Sequence, residues 1–440
     1  MNKKIVTRFA PSPTGFLHIG AYRTAIFAFL YAKHMGGEFI LRIEDTDKER
    51  NKKEYEQNII DSLNWMGLSH DRFYRQSENI ERHKEVLRDF INRGVAYISK
   101  EEAKDGSGVM RELIRFKNPN KVVTFLDTVA GEVKTDTTDL GDFILAKDID
   151  NPLFHLAVVV DDNDEGVTHV IRGADHISNT PRQILIYEAL KAEIPTYTHL
   201  PLVTGQDKLK LSKRRGAKSI TDYKEMGYTP AAILNMSVLM GWNPGTEQEI
   251  FDINNLIEIF DINKVQKSPA MFNIEKLNWV SREHIKLMSE TEQIENIKKF
   301  TNLKSETVEK IREIIIERIH NFGDVRAMEE AGEFSYYENM PKIEDPKRLI
   351  WKTSDKEKTI GNLKDAIITI DEGGEDMEKV TFLLKSKADI LGKGDLLWPI
   401  RYALSGKEKS PDPFTLLKVL GTEESKKRLK NAIIALDESK

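Results

Sequence analysis

The sequence KIVTRFAPSPTGFLHIG occupies residues 4–20 and leads into a helical pattern that ends at Gly36-Gly37. Its first half is rich in β-branched residues and predicts a strand, whereas the two prolines and the glycine that follow exclude regular structure. From Ala21 onward, apolar residues recur with the period of one helix face. A strand, a loop and a helix in this order direct the N–H groups of the first helical turn at the space above the strand end, where an anion is favoured.

His18 and Gly20 lie at the junction between this loop and the helix. An imidazole can donate a hydrogen bond to a phosphate, and a residue without Cβ lets a purine ring or a phosphate come close. Both features suit a nucleotide, although a histidine that only caps the helix explains an isolated match equally well. The sequence contains no GxxxxGK[ST] phosphate-binding loop.

Composition predicts a soluble globular protein with two to four domains. Of the 440 residues, 40% are hydrophobic and 31% are charged. The sequence has no cysteine, which excludes disulfides and thiolate zinc sites. Because no apolar run approaches the ~20 residues that span a membrane, we expect no membrane contact and a cytoplasmic location.

A dense group of cations lies between Lys208 and Lys218, within a chain whose net charge is −5. The overall charge argues against a protein that coats nucleic acid indiscriminately. A charge run is usually a solvated surface loop. This run, however, follows a predicted strand at residues 197–203, so we expect it at the same sheet edge as His18.

The pattern after the first helix predicts a parallel α/β sheet. Residues 38–43 form a second predicted strand that ends at Glu44, and strand–helix–strand units of this kind are right-handed and parallel. Ligands of such sheets bind at the carboxyl ends of the strands, so Arg8, Glu44 and His18 are expected to lie together. Helices are predicted over residues 48–66 and 78–93.

The middle of the chain predicts an insertion followed by a return to the parallel sheet. Residues 95–153 contain short β-like pieces and no helical period. The apolar run at residues 157–160 predicts a buried strand, and the acidic segment 161–166 predicts a hairpin turn, because Arg172 stands where a calcium loop needs a bidentate glutamate. Residues 168–173 predict a strand, and Thr180 with Pro181 predicts the N-cap and first turn of a helix. Helices are expected after residue 220.

Several ordered motifs together resemble bacterial glutamyl-tRNA synthetases. His18-Ile19-Gly20 is similar to the "HIGH" signature of class I synthetases, and Lys210 to Arg214 is similar to the "KMSKS" signature. The other matching stretches are residues 8–15, 42–47, 170–173, 272–279 and 399–406. The resemblance therefore covers nearly the whole chain.

The resemblance implies a multidomain α/β fold. It implies a Rossmann-like parallel-sheet catalytic domain at residues 1–94 and 154–205, with an inserted α+β acceptor-binding domain at 95–153. Residues 206–305 would form a stem-contact region that carries the KLSKR loop, and residues 306–440 an all-α anticodon-binding domain.

The resemblance also implies a reaction in which ATP activates L-glutamate before transfer to tRNA-Glu. His18, Lys210 and Lys213 would be catalytic, and Gly20 and Ser212 would bind ATP with them. Placing a carboxylate against the α-phosphate requires that the enzyme stabilise the charge that develops. Magnesium is expected with ATP, zinc is not expected, and a monomer is expected.

The amino-acid pocket implied by the resemblance contains two cation sites and one anion. Arg8 and Ser12 would line it, Glu44 would receive the α-ammonium, and Arg172 would receive the γ-carboxylate as a bidentate match. Phe154 stands where the family usually has a tyrosine, and Ala174 replaces a usual glutamate. Further candidates are Arg50 and Tyr22 for the pocket and Arg318 for tRNA contact, although a surface arginine is the ordinary interpretation of Arg318.

Three alternatives remain open at the level of sequence. The chain could also charge tRNA-Gln with glutamate, which depends on a few anticodon contacts. A glutaminyl-tRNA synthetase is disfavoured by Arg172, because glutamine would leave its charge unpaired, and by the helices predicted at the C-terminus. A non-catalytic tRNA-binding relative would be expected to lack some of the residues Arg8, His18, Glu44, Lys210 and Lys213, all of which are present.

Overall fold

The computed structural model describes residues 3–47, 49–102, 110–211, 218–352 and 354–439, which divide into two compact units, Met1–His284 and Ile285–Lys440. The strands are β1 Val6–Phe9, β2 Glu38–Ile43, β3 Arg72–Arg75, β4 Ala96–Glu102, β5 Met110–Phe116, β6 Val122–Asp127, β7 Gly131–Asp136, β8 Phe143–Ala146, β9 His169–Gly173, β10 Thr196–Leu200, β11 Val203–Thr204 and β12 Ala270–Met271. Among these described residues, no helix has the length and apolar character needed to cross a membrane.

The helices of the first unit are α1 Ile19–His34, α2 Lys53–Trp65, α3 Ile80–Asn92, α4 Phe154–Asp164, α5 Thr180–Leu190, α6 Ile220–Glu225, α7 Pro230–Leu239, α8 Ile253–Ile259 and the greater part of α9 Ile274–Leu287. Those of the second unit are α10 Glu290–Lys298, α11 Ser305–Ile316, α12 Gly323–Glu330, α13 Ser335–Glu338, α14 Lys356–Gly373, α15 Met377–Leu391, α16 Lys393–Ser405, α17 Pro413–Leu420 and α18 Thr422–Glu438.

A largely parallel sheet forms the centre of the first unit. Its described strands follow the order β3-β2-β1-β9-β10-β6-β7, and every neighbouring pair is parallel except the β6–β7 hairpin. Arg172 on β9 is in register with His199 on β10. The carboxyl ends of β1, β9 and β10 therefore meet at one edge, which confirms the predicted α/β architecture.

The segment predicted as an insertion contributes to two sheets. Strands β4, β5 and β8 form a separate antiparallel sheet, whereas β6 and β7 extend the main sheet because β6 pairs with β10. Asp127, the last residue of β6, is in register with Tyr197 near the start of β10, and its carboxylate reaches forward to His199. The four-part division of the chain remains a prediction.

Helix α1 is buried on nearly all sides because it lies between the sheet and helices α7 and α8. Phe27 packs edge-on against Phe260, with ring centroids 5.4 Å apart, and Trp242 stacks on the same ring. A Cβ at Gly37 would lie 2.2 Å from the carbonyl oxygen of Ile5. Glycine is thus required where the chain leaves α1 and enters β2.

The predicted strand at residues 157–160 is wrong, since these residues lie within helix α4. Every residue from Leu156 to Asp162 is buried, so the helix lacks the polar stripe that reveals a helical period. A short apolar run rich in valine then looks like a buried strand. The predicted hairpin turn at 161–166 is wrong for the same reason: Asp161 and Asp162 belong to the last turn of this helix.

Two boundaries near the functional edge also differ from prediction. Thr180 is the first residue of α5, and Asn179 is its N-cap. The strand predicted over residues 197–203 is divided into β10 and β11, and β11 leaves the main sheet to pair with β12. Pro201 lies between the two pieces.

The second unit is helical, as predicted. Aspartates at 355, 376 and 412 cap α14, α15 and α17 by accepting hydrogen bonds from backbone N–H groups of the first turn. The core that these helices bury includes Leu363, Leu384 and Ile400, none of which is exposed. The described residues of this unit confirm the all-α C-terminal region.

Candidate active site

A cavity of about 550 Å³ opens at the edge where β1, β9 and β10 end. Most of the residues that the sequence assigned to the site line it. These residues are Arg8, Ser12, His18, Gly20, Glu44, Phe154, Arg172 and Lys210. Ser212 and Lys213 were also predicted, and they lie outside the described residues.

His18 is the N-cap of α1. Its Nδ1 accepts a hydrogen bond from the backbone N–H of Gly20 at 3.1 Å, which places the proton of the neutral ring on Nε2. A Cβ at Gly20 would lie only 3.0 Å from the His18 ring, so a glycine lets the ring fold back over the first turn. His18 therefore both caps the helix and holds an N–H donor at the cavity, which combines the two interpretations left open by the sequence.

Arg8 and Arg42 share a buried carboxylate. The Asp162 carboxylate accepts from Arg8 Nε at 3.1 Å and from Arg42 Nη1 at 2.7 Å. Burial alone would raise the pKa of Asp162, but the two guanidinium groups hold it below its ordinary value. The positive charge of Arg8 is thus largely balanced before any ligand binds.

Glu44 is the buried carboxylate that lines the cavity beside this network. Its Oε1 accepts a hydrogen bond from Arg42 Nη2 at 3.2 Å, and only 7% of the residue is exposed. Burial raises the pKa of Glu44 above its ordinary value, while the charges of Arg42 and Arg8 oppose that rise. An ammonium group in the cavity would add a further positive charge beside this carboxylate and favour its ionised form.

Arg172 is a buried cation of a different kind. Its Nε donates to His199 Nε2 at 3.1 Å, its Nη2 donates to Thr180 Oγ1 at 2.8 Å, and its guanidinium carbon lies 5.3 Å from the centre of the Tyr197 ring. Burial lowers the pKa of Arg172 to about 10, which leaves it charged near neutral pH. Among the described residues, no carboxylate forms an ion pair with it.

Lys210 lies in the first part of the basic run, on a short hairpin that follows β11. Its backbone bridges to Thr204, and its Nζ lies 2.6 Å from Asp175 Oδ2. Both Lys210 and Asp175 line the cavity. The first lysine of the predicted signature is consequently at the strand edge, as its position after a strand indicated.

Two further pocket candidates, Tyr22 and Arg50, are not among the residues that line the cavity. Tyr22 is fully buried against Phe9 in the core, and Arg50 is a surface residue paired with Asp47, so neither belongs to the pocket as the sequence suggested. The sequence motif does not determine whether these two side chains point into the pocket, into the core or to the surface. Arg318 is in the second unit, where it pairs with Glu333.

Sequence reasoning missed several polar residues of the site. Those that line the cavity include Arg23, Asp175, His176 and Asn179, and those that belong to the hydrogen-bond networks of Arg8 and Arg172 are Asp127, Asp162 and His199. Asp162 was missed because the sequence around it predicts a strand and a turn, whereas the structure has a helix there. His199 could have been found from its place near the end of a predicted strand, but its partner Asp127 belongs to a segment thought to be outside this sheet.

Comparison with known proteins gives consistent matches over both units. Residues 4–105 and 98–279 match the family described as tRNA synthetases class I (E and Q), catalytic domain, and residues 256–433 match an anticodon binding domain. The chain is 47% identical over 317 residues to the glutamate–tRNA ligase of Aquifex aeolicus (strain VF5), an alignment that covers 64% of this chain and 67% of that protein. It is 35% identical to the glutamate–tRNA ligase of Carboxydothermus hydrogenoformans, with 96% and 98% covered.

A solved structure with the same fold is a glutamate tRNA ligase from Elizabethkingia meningosepticum in complex with its amino acid. The two structures superpose with a TM-score of 0.87 at 27% sequence identity, and the match covers 99% of this chain and 100% of the other. The agreement therefore extends over both units and is not confined to the cavity.

Proposed function

The chain belongs to the glutamate–tRNA ligases, which are class I aminoacyl-tRNA synthetases, and we propose that the cavity at the strand ends is where it activates L-glutamate with ATP. Activation joins the glutamate α-carboxylate to the α-phosphate and releases pyrophosphate. The glutamyl group then passes from the adenylate to the 3′ end of tRNA-Glu, and AMP is released.

One observation carries the assignment of the amino-acid pocket: Arg172 is buried, charged and without a carboxylate partner among the described residues. The γ-carboxylate of glutamate supplies the missing anion, whereas a glutamine amide does not. Arg8 is less suited to this role because Asp162 already balances its charge. In this proposal Glu44 receives the α-ammonium group of the substrate glutamate. Arg8, Ser12 and Phe154 complete the wall of the amino-acid pocket.

The ATP site is assigned to the start of α1 and to the basic loop. His18 presents its Nε2 proton at the positive end of a helix, and Gly20 lets a nucleotide approach. Lys210, together with Ser212 and Lys213, would contact the triphosphate. These donors stabilise charge that grows on the phosphates during attack, which is the kind of interaction that accelerates the chemical step.

Magnesium enters this proposal as part of the MgATP substrate. The described portion of the chain has no group of three or more His, Asp or Glu side chains that could hold an ion by itself. Magnesium is commonly held by substrate phosphates with one or two carboxylates and water, and that arrangement needs no such group.

The protein is proposed to act as a monomer in the cytoplasm. The residues that line the cavity all belong to the first unit, and they include groups proposed for both the amino acid and ATP. The tRNA would contact the helical second unit, which matches an anticodon binding domain, and Arg318 is a candidate for such a contact.

Two related activities are distinguished by charging assays. A non-discriminating enzyme would also attach glutamate to tRNA-Gln, and a glutaminyl enzyme would attach glutamine. Purified protein is incubated with ATP and with labelled glutamate or glutamine, on tRNA-Glu and on tRNA-Gln separately. We expect glutamate on tRNA-Glu, and charging with glutamine would overturn the assignment of Arg172.

A further inference from the structure

Three buried polar side chains form a line across neighbouring strands behind the cavity. Asp127 at the end of β6 contacts His199 on β10, with Oδ2 and Nδ1 2.7 Å apart. His199 in turn contacts Arg172 on β9, with Nε2 and Nε 3.1 Å apart. Asp127 and His199 are 1% and 2% exposed, so these hydrogen bonds are shielded from bulk solvent.

The hydrogen bonds in this line require one particular tautomer of His199. The Nε–H of Arg172 is a donor, so His199 Nε2 must be an acceptor, and a neutral ring then carries its proton on Nδ1. That proton faces the carboxylate of Asp127. The opposite tautomer would bring two N–H groups together at Arg172 and leave a lone pair against the carboxylate.

Asp127 is itself fixed by backbone donors. Its Oδ1 accepts from the N–H groups of Val129 at 2.9 Å and Ala130 at 2.7 Å, and its Oδ2 accepts from the backbone N–H of His199 at 3.0 Å. Burial by itself raises the pKa of Asp127, but the hydrogen bonds from His199 and the backbone bring it below its ordinary value. The residue is therefore a fixed carboxylate that can only accept.

The consequence for Arg172 concerns which edge of its guanidinium is left for a ligand. His199 and Thr180 occupy the edge formed by Nε and Nη2, and the His176 carbonyl oxygen, which also accepts from Thr180 Oγ1, makes a longer contact of 3.5 Å with Nη2. Nη1 and the second N–H of Nη2 form the other edge, and no described residue accepts from Nη1. A carboxylate can meet this edge through two parallel hydrogen bonds.

We propose that Asp127 and His199 are positioning residues for amino-acid selection. They hold the guanidinium of Arg172 in one orientation, so that the edge formed by Nη1 and Nη2 meets the side-chain carboxylate of the substrate. This inference rests on the proposed glutamate site and deepens it. An arginine held by an oriented acceptor loses less conformational entropy on binding and cannot turn to satisfy an amide oxygen through one N–H.

The test compares two substitutions of His199 that differ in one property. His199→Gln keeps an acceptor near the position of Nε2, whereas His199→Leu removes it and keeps the site apolar and filled. His284→Leu is the control, because His284 is another buried histidine, contacts Asn235 at 2.9 Å and does not line the cavity. Glutamate affinity is measured by calorimetry, and KM values for glutamate and ATP by charging of tRNA-Glu.

We expect His199→Leu to weaken glutamate binding by roughly 10- to 100-fold, the usual range for a hydrogen bond to a charged group. His199→Gln is expected to stay within about threefold of wild type, and His284→Leu is expected to leave glutamate binding unchanged. The KM for ATP should not change in any variant. Asp127→Asn, which favours the wrong tautomer, should resemble His199→Leu in glutamate affinity.

The outcomes separate this inference from the proposed function. If wild-type protein binds glutamate and charges tRNA-Glu, but His199→Leu binds glutamate as wild type does, the positioning role is overturned. Equal losses in His199→Gln and His199→Leu would also overturn it, because the shape of the ring and not its acceptor would then matter. Failure of the wild-type protein to bind or charge glutamate would overturn the proposed function and this inference together.

Discussion

Lys210 Nζ lies 2.6 Å from Asp175 Oδ2, and both side chains line the cavity. The side chains are 52% and 40% exposed, so an ion pair of this kind contributes only about 0–1 kcal/mol. A phosphate with more negative charge than a carboxylate can replace Asp175. The pair therefore holds Lys210 at the cavity, near the proposed nucleotide site, without fixing it there.

Replacing Lys210 should slow the chemical step more than it weakens binding. We expect Lys210→Ala to reduce the rate of adenylate formation by roughly 100-fold, because the lysine acts on charge that grows in the transition state. The rate is measured by ATP–pyrophosphate exchange in the presence of tRNA-Glu. Lys208→Ala is the matched control, since Lys208 belongs to the same basic run and does not line the cavity. Equal rates for the two variants would contradict the role of Lys210.

Replacing Asp175, the partner of Lys210, should strengthen ATP binding. Asp175→Asn keeps the shape of the side chain and removes the competing charge, so we expect the KM for ATP to fall by about two- to fivefold, in keeping with a half-exposed ion pair. The turnover number should change little. A rise in the KM for ATP would show that Asp175 helps to bind the nucleotide and does not compete with it.

The two roles of His18 can be separated by substitution. Asparagine is a good N-cap and can accept from the Gly20 N–H, but it does not place a donor where Nε2 lies. We expect His18→Asn and His18→Ala both to slow pyrophosphate exchange by roughly 100-fold. Only His18→Ala should also lose about 1 kcal/mol of stability, measured by denaturant unfolding. If His18→Asn exchanged at the wild-type rate, capping would be the whole contribution of the histidine.

The sequence predicted the sheet edge and most of its polar groups because each motif follows a strand or begins a helix. Arg8, His18, Glu44 and Arg172 all lie where such positions place them, around one cavity. Strand order in a parallel unit follows from chirality and short connections, so little information beyond the pattern is needed.

Predictions from the sequence were wrong or missing where local patterns carry no information about distant contacts. Helix α4 is buried all round, so its valines gave no amphipathic signal, and its buried aspartates looked like a turn. Asp127 comes from a hairpin that joins the main sheet through β10, and that pairing connects residues about seventy positions apart. Such partners become visible only when the strands are assembled.

The buried carboxyl group of Glu165 predicts how the stability of the folded protein depends on pH. Burial raises its pKa from 4.5 to about 7, although the charges of Arg42, Arg72 and Arg8 oppose the rise. Because the folded-state pKa lies above the unfolded one, the contribution of Glu165 to stability is fully present below about pH 4.5. It is lost as the pH rises through about 7.

Glu165→Gln imitates the protonated carboxyl and should remove this loss. We expect the stability of the variant relative to wild type to increase between pH 5 and pH 8, by up to about 3 kcal/mol. Melting temperatures of both proteins are compared across that range. Glu188→Gln, which changes a half-exposed carboxylate paired with Lys121, serves as the control. A difference between Glu165→Gln and wild type that does not vary with pH would contradict the assignment.

The choice of glutamate over glutamine rests on Arg172. A bound glutamine would leave the buried guanidinium without a carboxylate, at a cost of about 3 to 5 kcal/mol. We expect Arg172→Ala to raise the KM for glutamate steeply, to leave the KM for ATP within a few-fold, and to narrow the preference for glutamate. These constants are measured by charging tRNA-Glu with each amino acid.

Arg172→Lys tests whether charge alone is sufficient. A lysine keeps the positive charge but lacks the planar fork that meets both carboxylate oxygens and bonds His199 and Thr180 at once. We expect this variant to retain a preference for glutamate while its KM for glutamate rises at least tenfold. If Arg172→Ala kept wild-type glutamate kinetics, another residue would have to read the side chain. Arg8, which shares Asp162 with Arg42, would then be the next candidate, because it is also buried and lines the same cavity.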